Sequence, residues 1–288
     1  MLNVLSIGGN ALEGSKNLDS VLEAIFVLSK RGKLLITHGN GPQVGRLALE
    51  EKLPLALLTV QTQAEIGSML ESRIRQEFRR HGKSVNVSTI LTRVLVDPKD
   101  GAFQSPSKPI GRFYTKAQAI RLGGNFTIRK LKHGYRRVVA SPMPLGIVEK
   151  AQIARMLSKG SIVIAGGGGG IPVSRMGKAL LFSEAVIDKD NTASLLARQL
   201  HASRLFTLTN VDGAYTSYGE RGARLILKAS VAQMERCIKN GEFEHGSMLP
   251  KVEAAIEFAK AGKGVAVIGN INKASKAVNL EGCTVING

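Results

Sequence analysis

The chain has 288 residues, 43% hydrophobic and 22% charged, which is enough to bury a sizeable core as one large domain or two modest ones. This composition excludes disordered, collagenous and small peptide-scaffold proteins. The 40 lysine and arginine residues outnumber the 22 aspartate and glutamate residues, for a formal net charge of +18. Such a charge favours anionic partners: nucleic acid, an acidic membrane or a phosphorylated small molecule.

The cysteine count, the apolar runs and the aromatic content disfavour several classes of protein. The two cysteines, Cys237 and Cys283, are too few for a metal cluster or a disulfide framework, which favours a reducing cytoplasm, although one disulfide between them stays open. The first residues lack the pattern of a secretory signal, and no apolar stretch approaches the roughly 18 residues of a membrane-spanning helix. Tryptophan is absent and aromatic residues make up 5%, which disfavours nucleic-acid binding.

In chain order, short apolar and β-branched runs alternate with helical spans. The predicted strands are Val4 to Ile7, Leu34 to Thr37, Val85 to Leu91, Arg137 to Ala140, Ile162 to Ala165, Leu205 to Thr209 and Val265 to Ile268. Predicted helices include 20–31 and 251–260, each followed by glycine. This rhythm predicts an α/β fold: a three-layer α/β/α sandwich around an open, mostly parallel sheet, which binds ligands at the carboxyl ends of its strands.

Residues 97–144 interrupt this rhythm with five prolines and several glycines around a short predicted helix at 115–122. We expect a small lid subdomain inserted within a single domain over 1–288. The same region carries most of the charge, since residues 101–183 hold 14 basic side chains and one acidic one. The pattern leaves a solvated face, a nucleic-acid patch and a catalytic role open, and for the cluster from Arg129 to Arg137 a solvated face is preferred.

Glycine follows three predicted strands. The turns are Gly8, Gly9 and Asn10; Gly39, Asn40 and Gly41; and a run that starts at Gly166 and Gly167. Backbone N–H groups in such turns converge on an anion without interference from Cβ atoms, and the ends of neighbouring parallel strands share one edge of the sheet. None of the three has the spacing of a P-loop or of a dinucleotide-binding turn.

Lys189 lies between Asp188 and Asp190, just before an apolar helix. Asp190 and Thr192 are plausible helix caps, whereas a lysine flanked by two carboxylates suits the stabilisation of a transferring phosphoryl group. The segment 208–215 ends a strand in a polar Asn-Val-Asp-Gly turn, and 246–251 opens a helix with proline in its first turn, where anions are favoured.

Together these segments resemble the amino acid kinase superfamily and, within it, the carbamate kinases. The likeness runs nearly end to end, and its most specific parts are HGNGPQVG at 38–45 and the Lys-Pro-Ile-Gly loop in PSKPIGRFYT at 106–115. It continues through IGGNAL at 7–12, the Gln61 and Glu65-Ile66-Gly67 segment, YRRVVASPMPLGIVE at 135–149, IVIAGGGGGIPV at 162–173, EAVIDKD at 184–190, LTNVDGAY at 208–215 and GSMLPKVEAAIEF at 246–258.

The resemblance implies reversible phosphoryl transfer between ATP and carbamate, giving ADP and carbamoyl phosphate. It implies that Lys108, Lys189 and Lys251 surround the transferring group and that Asp190 orients the lysines. The phosphate-binding residues that it implies are Gly8, Gly9, Asn10, Gly166 and Gly167, the substrate turn is Gly39, Asn40 and Gly41, and the nucleoside side is Asp212, Tyr215, Tyr218 and Met248.

The resemblance also implies Mg²⁺ held mainly by the nucleotide phosphates, with no metal site made by protein side chains, and a homodimer. Carbamate is already an anion, so no general base is needed, and His38 is interpreted as a structural residue. Arg112, Leu249 and the Asn-Thr-Ala-Ser run after Asp190 depart from the family pattern. The alternatives are a superfamily kinase with another small carboxylate or phosphate acceptor, and a nucleic-acid or partner-binding protein.

Overall fold

The computed structural model describes residues 1–8, 15–124, 126–131, 133–244, 246–262 and 264–288. The strands in these ranges are β1 (Leu2–Ile7), β2 (Lys33–His38), β3 (Val87–Ile90), β4 (Arg93–Leu95), β5 (Lys108–Tyr114), β6 (Ile128–Leu131), β7 (Gly134–Val139), β8 (Gly146–Ile147), β9 (Ile162–Ala165), β10 (Ile171–Met176), β11 (Ala179–Phe182), β12 (Arg204–Thr209), β13 (Tyr215–Thr216), β14 (Arg224–Leu225), β15 (Lys228–Ser230), β16 (Val265–Asn270) and β17 (Thr284–Asn287).

The helices in the same ranges are α1 (Ser15–Ser29), α2 (Gly41–Glu50), α3 (Leu55–Arg80), α4 (Gly101–Gln104), α5 (Lys116–Leu122), α6 (Lys150–Ser158), α7 (Lys189–Gln199), α8 (Val231–Lys239), α9 (Leu249–Lys260) and α10 (Ala274–Val278). Short 3₁₀ turns lie at Gly167–Gly169 and Ile271–Lys273. None of these helices is both long enough and apolar enough to cross a membrane.

Eight strands form the central sheet in the order β15-β17-β16-β12-β1-β2-β9-β3. From β16 to β3 each neighbouring pair is parallel, and β17 runs antiparallel to β16 at one side. The interior strands are buried on both faces, as in β1, where all six residues are buried. This is why they form continuous apolar runs instead of alternating ones.

Helices cover both faces of the sheet. Val4, Leu35 and Val163 point to a core shared with α6, α7, α8 and α9, whereas Leu5 and Ile36 point to a core shared with α1, α3 and α10. Because successive side chains of a strand point to opposite faces, each strand contributes to both cores. The three-layer α/β/α sandwich predicted from the sequence is therefore confirmed.

A separate three-stranded sheet, in the order β5-β7-β6, carries α5. The predicted helix near 115–122 is α5, which begins with a capping box between Thr115 and Gln118. The prediction that Arg137 to Ala140 forms a strand of the central sheet is wrong. Residues up to Val139 belong to β7, which pairs antiparallel with β5 and β6, so that this run continues the small sheet.

This small sheet contacts the sandwich through a close glycine contact. A Cβ atom on Gly45 of α2 would lie 2.3 Å from the backbone nitrogen of Gly111 on β5. Arg136 donates a hydrogen bond to the carbonyl oxygen of Gly111 at 2.6 Å and lies over the Phe113 ring, 5.1 Å from its centre. Arg137 lies 4.1 Å over the Phe126 ring.

The preferred interpretation of the cluster from Arg129 to Arg137 is thus corrected in part. Arg136 and Arg137 are half-buried in β7. Their side chains point to opposite faces of the small sheet, and each lies over an aromatic ring. Arg129 and Lys130 are exposed. Of the four basic residues of this cluster that the structure describes, two pack within the small sheet and two face solvent.

Candidate active site

The carboxyl ends of β1, β2 and β9 lie side by side, because these strands are parallel neighbours. The predicted shared edge is therefore present. Gly8 follows β1 and is half-buried, and Gly39 follows β2, with its N–H donated to the carbonyl oxygen of Ile7. Gly9 and Asn10, also predicted to bind phosphate, lie outside the described residues.

At this edge one carboxylate joins two ammonium groups. Asp190, in the first turn of α7, receives Lys189 Nζ on Oδ1 at 2.5 Å and Lys251 Nζ on Oδ2 at 3.0 Å. The Asp190 side chain is 3% exposed, and those of Lys189 and Lys251 are 14% and 19% exposed. The structure thus brings together three of the four predicted catalytic residues, with Asp190 between the two lysines.

The protonation of this group follows from its surroundings. Burial alone would raise the pKa of Asp190, but the two lysines outweigh burial and hold that pKa well below its usual range. Burial lowers the pKa of Lys189, although Asp190 opposes this effect, and Lys251 lowers it further. Burial would also lower the pKa of Lys251, yet Asp190 raises it above its ordinary value. Asp190 is therefore ionised at neutral pH, and Lys251 beside it is protonated.

Lys108, the fourth predicted catalytic residue, comes from the first position of β5 and pairs with Asp188. Asp188 also caps α7, since its Oδ1 accepts the N–H of Asp190 at 2.8 Å. The sequence interpretation placed both aspartates around Lys189. The structure divides them, with Asp188 binding the lysine of the small sheet and Asp190 binding the lysines of the sandwich.

These groups line a cleft of about 200 Å³ between the small sheet and the sandwich. The predicted substrate turn, Gly39, Asn40 and Gly41, lines it too and leads directly into α2. The N-terminus of a helix attracts anions, because its first N–H groups have no partners within the helix. The cleft is therefore suited to a small anion held between a helix end and three lysines.

His38, the last residue of β2, is fully buried. Its Nδ1 lies 3.1 Å from the carbonyl oxygen of Gly39, which accepts, so Nδ1 carries the proton. Burial lowers the pKa of His38 to about 4 even though the Gly39 bond opposes this shift, and nearby Lys189 lowers it further. The ring is neutral at pH 7, consistent with the structural role interpreted from the sequence.

The glycine run after β9 is packed closely against side chains. Gly166 has a left-handed backbone, φ 68°, and its N–H is donated to Thr92 Oγ1 at 2.9 Å. A Cβ on Gly167 would lie 2.4 Å from His38 Nε2. Both glycines are buried against these side chains and lie outside the cleft lining, which instead includes Gly168. Their close contacts leave no room for a Cβ atom, and Gly168 is the residue of this turn that lines the cleft.

A second cavity, of about 620 Å³, adjoins the first, since Ser247 and Lys251 line both. Tyr215, Tyr218 and Met248 line this larger cavity, with the two tyrosine rings 5.6 Å apart. The two rings are tilted by 55° to each other, and aromatic faces in a cavity wall suit contact with a nucleobase. The cavity meets the lysine cleft at Lys251.

Asp212 is the exception among the predicted nucleoside residues. Its carboxylate accepts a hydrogen bond from Asn270 at 2.8 Å and pairs with Lys273 at 3.0 Å, and it lies outside the lining of the larger cavity. These two partners lower its pKa. Asp212 therefore holds the turn after β12 against the end of β16.

Among the described residues no group of histidine, cysteine, aspartate and glutamate side chains has the geometry of a metal site. A more voluminous and more open cavity, about 700 Å³, lies on the small sheet along α5, lined by residues such as Ile120 and Tyr135. It contains none of the lysine and aspartate groups described above. We therefore place the candidate site in the two adjoining cavities at the strand ends.

Sequence reasoning missed Ser6 and Ser247 of this site and the partner of Asp188. Ser6 on β1 bonds both Lys189 and Asp190, Asp188 receives Lys108, and Ser247 lines both cavities. Ser6 gives no sequence signal, since it is one serine in a buried strand. Asp188 was visible beside Lys189, but its partner is 80 positions away.

The geometry defines a protein that holds a small anion and a nucleotide end to end. A model of the amino acid kinase family matches residues 1–270. Carbamate kinase 2 of Enterococcus faecalis is 38% identical, covering 99% of this chain and 98% of its own. The carbamate kinase of Pyrococcus horikoshii is 39% identical, covering 98% and 96%.

A solved structure of carbamate kinase from Giardia lamblia bound to AMP-PNP superposes with a TM-score of 0.88 at 34% identity, covering 99% of this chain and 98% of that one. The chain therefore belongs to the amino acid kinase family and, within it, to the carbamate kinases.

Proposed function

We propose that the chain transfers a phosphoryl group reversibly between ATP and carbamate, giving ADP and carbamoyl phosphate. The observation that carries the proposal is the buried carboxylate of Asp190 between Lys189 and Lys251. All three line the small cleft, and Lys251 also lines the larger cavity that adjoins it. The relatives named carbamate kinase supply the acceptor.

The proposed chemistry needs no general base, because carbamate enters as an anion. Catalysis then consists of in-line positioning and neutralisation of charge on the equatorial oxygens of the phosphoryl group. Lys108, Lys189 and Lys251 are assigned to those oxygens. The neutral ring of His38 and its bond to Gly39 support a mechanism without an imidazole acid or base.

The remaining residues are assigned by their place along the two cavities. The turn at Gly39, Asn40 and Gly41 and the N-terminus of α2 enclose carbamate, and Tyr215, Tyr218 and Met248 contact the nucleoside. Mg²⁺, when bound, offsets the negative charge of the nucleotide phosphates. Gly8, Gly9 and Asn10 remain proposed contacts of the phosphoryl group.

The direct test is ATP formation from carbamoyl phosphate and ADP. We expect activity in the natural chain and a fall in kcat of about a hundredfold or more in Lys189→Ala, as when other pre-organised transition-state contacts are removed. The exposed Lys150→Ala on α6 is the matched control and should behave like the natural chain. Equal activity of Lys189→Ala and the natural chain would refute the assigned mechanism.

A second candidate is a kinase of the same family with another small carboxylate or phosphate acceptor. One relative, 38% identical over 98% of this chain, is named only as the carbamate kinase-like protein YqeA of Escherichia coli. A panel of acceptors with ATP separates the candidates, because turnover of another acceptor without turnover of carbamate favours the second.

We also propose a homodimer in the cytoplasm. The support for a dimer is a set of large exposed apolar side chains on the β10–β11 hairpin, namely Met176, Leu181 and Phe182, which are 65%, 42% and 54% exposed. Several exposed apolar side chains on one hairpin mark that hairpin as a contact surface. Light scattering should give twice the 30.8 kDa chain mass, and Phe182→Glu should shift the measured mass toward that of the monomer.

The two free cysteines accord with the proposed location in a reducing compartment.

A further inference from the structure

Ser6, the penultimate residue of β1, has no role in the mechanism described above. Its side chain is fully buried. Its Oγ accepts a hydrogen bond from Lys189 Nζ at 3.0 Å and donates one to Asp190 Oδ1 at 3.3 Å. With the 2.5 Å bond from Lys189 to Asp190, the three side chains form a closed hydrogen-bonded triangle.

The triangle limits what Lys189 offers to a substrate. An ammonium group has three N–H donors, of which two are directed to Asp190 and Ser6. The third is left for the cleft that Lys189 lines. The other carboxylate oxygen of Asp190 is bound by Lys251. The Lys189 ammonium is thus held at two points, Asp190 Oδ1 and Ser6 Oγ.

We propose that Ser6 is a positioning residue for phosphoryl transfer, whose hydroxyl orients the ammonium of Lys189 so that one N–H meets the transferring group. Ser6 itself does not touch the substrate. The kinetic part of this inference rests on the proposed function, whereas the structural part concerns Lys189 in the protein alone.

A pH dependence follows from the groups around Lys189. It faces Asp188 and Asp190 from its own helix, Lys251 from α9 and the neutral His38 from β2. Burial already lowers the pKa of Lys189. A buried cation that loses a hydrogen-bond acceptor is less stable in its charged form, so removal of the Ser6 hydroxyl lowers this pKa further.

Ser6→Ala is the primary test. We expect kcat to fall about tenfold to a hundredfold, as for a lost hydrogen bond to a charged group. The KM for ADP should stay within about twofold, because neither Ser6 nor Lys189 lines the nucleoside cavity. The alkaline limb of the pH–kcat profile should move to lower pH. Ser6→Thr, which keeps the hydroxyl, should restore the position of that limb.

Ser194→Ala is the matched control, because Ser194 is also a buried serine, lies on α7 and has a hydroxyl without a partner among the described residues. It should keep the natural kcat and pH profile. If Ser6→Ala does not fold, Ser6→Cys makes the same test, because the thiol is nearly the same size but bonds weakly. A natural pH profile in the folded Ser6 variant would overturn the inference even if kcat falls.

A second readout is independent of activity. The pKa of Lys189 is measured by NMR of the protein with ¹⁵N-labelled lysine, assigned with Lys189→Arg. We expect a lower pKa in Ser6→Ala than in the natural chain and in Ser194→Ala. An unchanged pKa would contradict the role of Ser6, whereas a natural chain without activity on carbamoyl phosphate would contradict only the proposed function.

Discussion

Gly45 on α2 and Gly111 on β5 lie so close that a single added Cβ atom on Gly45 would come within 2.3 Å of the Gly111 nitrogen. Gly111 also has a left-handed backbone, φ 68°, which favours glycine. Lys108 is on the same strand, three positions before Gly111. The distance between α2 and β5 therefore sets where Lys108 lies in the cleft.

We expect Gly45→Ala to displace β5 and to lower kcat by about tenfold to a hundredfold, since small misplacements of a catalytic group have effects of this size. The KM for ADP should change little. Gly101→Ala is the control, because a Cβ there meets open space. An unchanged kcat in Gly45→Ala would show that the position of β5 does not limit transfer.

Asp190→Asn should reduce both activity and stability. It leaves Lys189 and Lys251 in a buried place without their shared counter-charge, and loss of one member of a buried ion pair typically costs about 3 to 5 kcal/mol. Urea unfolding measures the stability, and ATP formation measures the activity. The exposed Asp19→Asn on α1 should change neither. A fully stable Asp190→Asn protein would contradict the pairing.

His38 should make the protein sensitive to mild acid. Its pKa is about 4 in the folded chain, against 6.5 for an ordinary histidine side chain. Between these two pH values the unfolded chain therefore binds a proton that the folded chain does not. Unfolding free energy should therefore be fully retained above about pH 6.5 and fall by about 3 kcal/mol as pH drops to about 4. His38→Asn should lose this slope, whereas the exposed His201→Asn should keep it. Parallel slopes in His38→Asn and the natural chain would refute the prediction.

Tyr218→Ala should weaken nucleotide binding alone. The ring lies on the wall of the larger cavity and is 61% exposed, so its removal leaves the core intact. Stacking of a base on an aromatic ring contributes about 1 to 3 kcal/mol, so the KM for ADP should rise about fivefold or more. The KM for carbamoyl phosphate in the same assays is the internal control, and an equal rise in both constants would contradict the assignment of the two cavities.

The parts of the fold that the sequence predicts are those with a local signal. β1, β2 and β9 are continuous apolar runs because they are buried on both faces, and Lys189 and Asp190 are adjacent in the chain. The Arg137 to Ala140 run is also apolar at its end, yet it pairs with β5 and β6. Its neighbours in space could not be read from its own composition.

The parts that sequence misses depend on distant partners. Ser6 meets Asp190 across 184 positions, and nothing in the strand distinguishes this serine from an ordinary buried one. An Asp-Gly turn such as that at Asp212 looks the same whether it faces a ligand or a neighbouring strand. The glycines at Gly166 and Gly167 likewise indicate a tight turn without indicating whether ligand or side chains fill the space.

The ion pairs of the cleft have a consequence for how the protein meets its substrate. Three lysines and two aspartates line the described part of the cleft. The formal charge of the cleft is therefore about +1, and most of the net charge of +18 lies elsewhere in the chain. Added salt should therefore slow the arrival of anions, which the distant charges attract from afar, far more than it weakens their hold once bound. The charges outside the cleft therefore speed the arrival of the anion, and the charges that line the cleft hold it once it is bound.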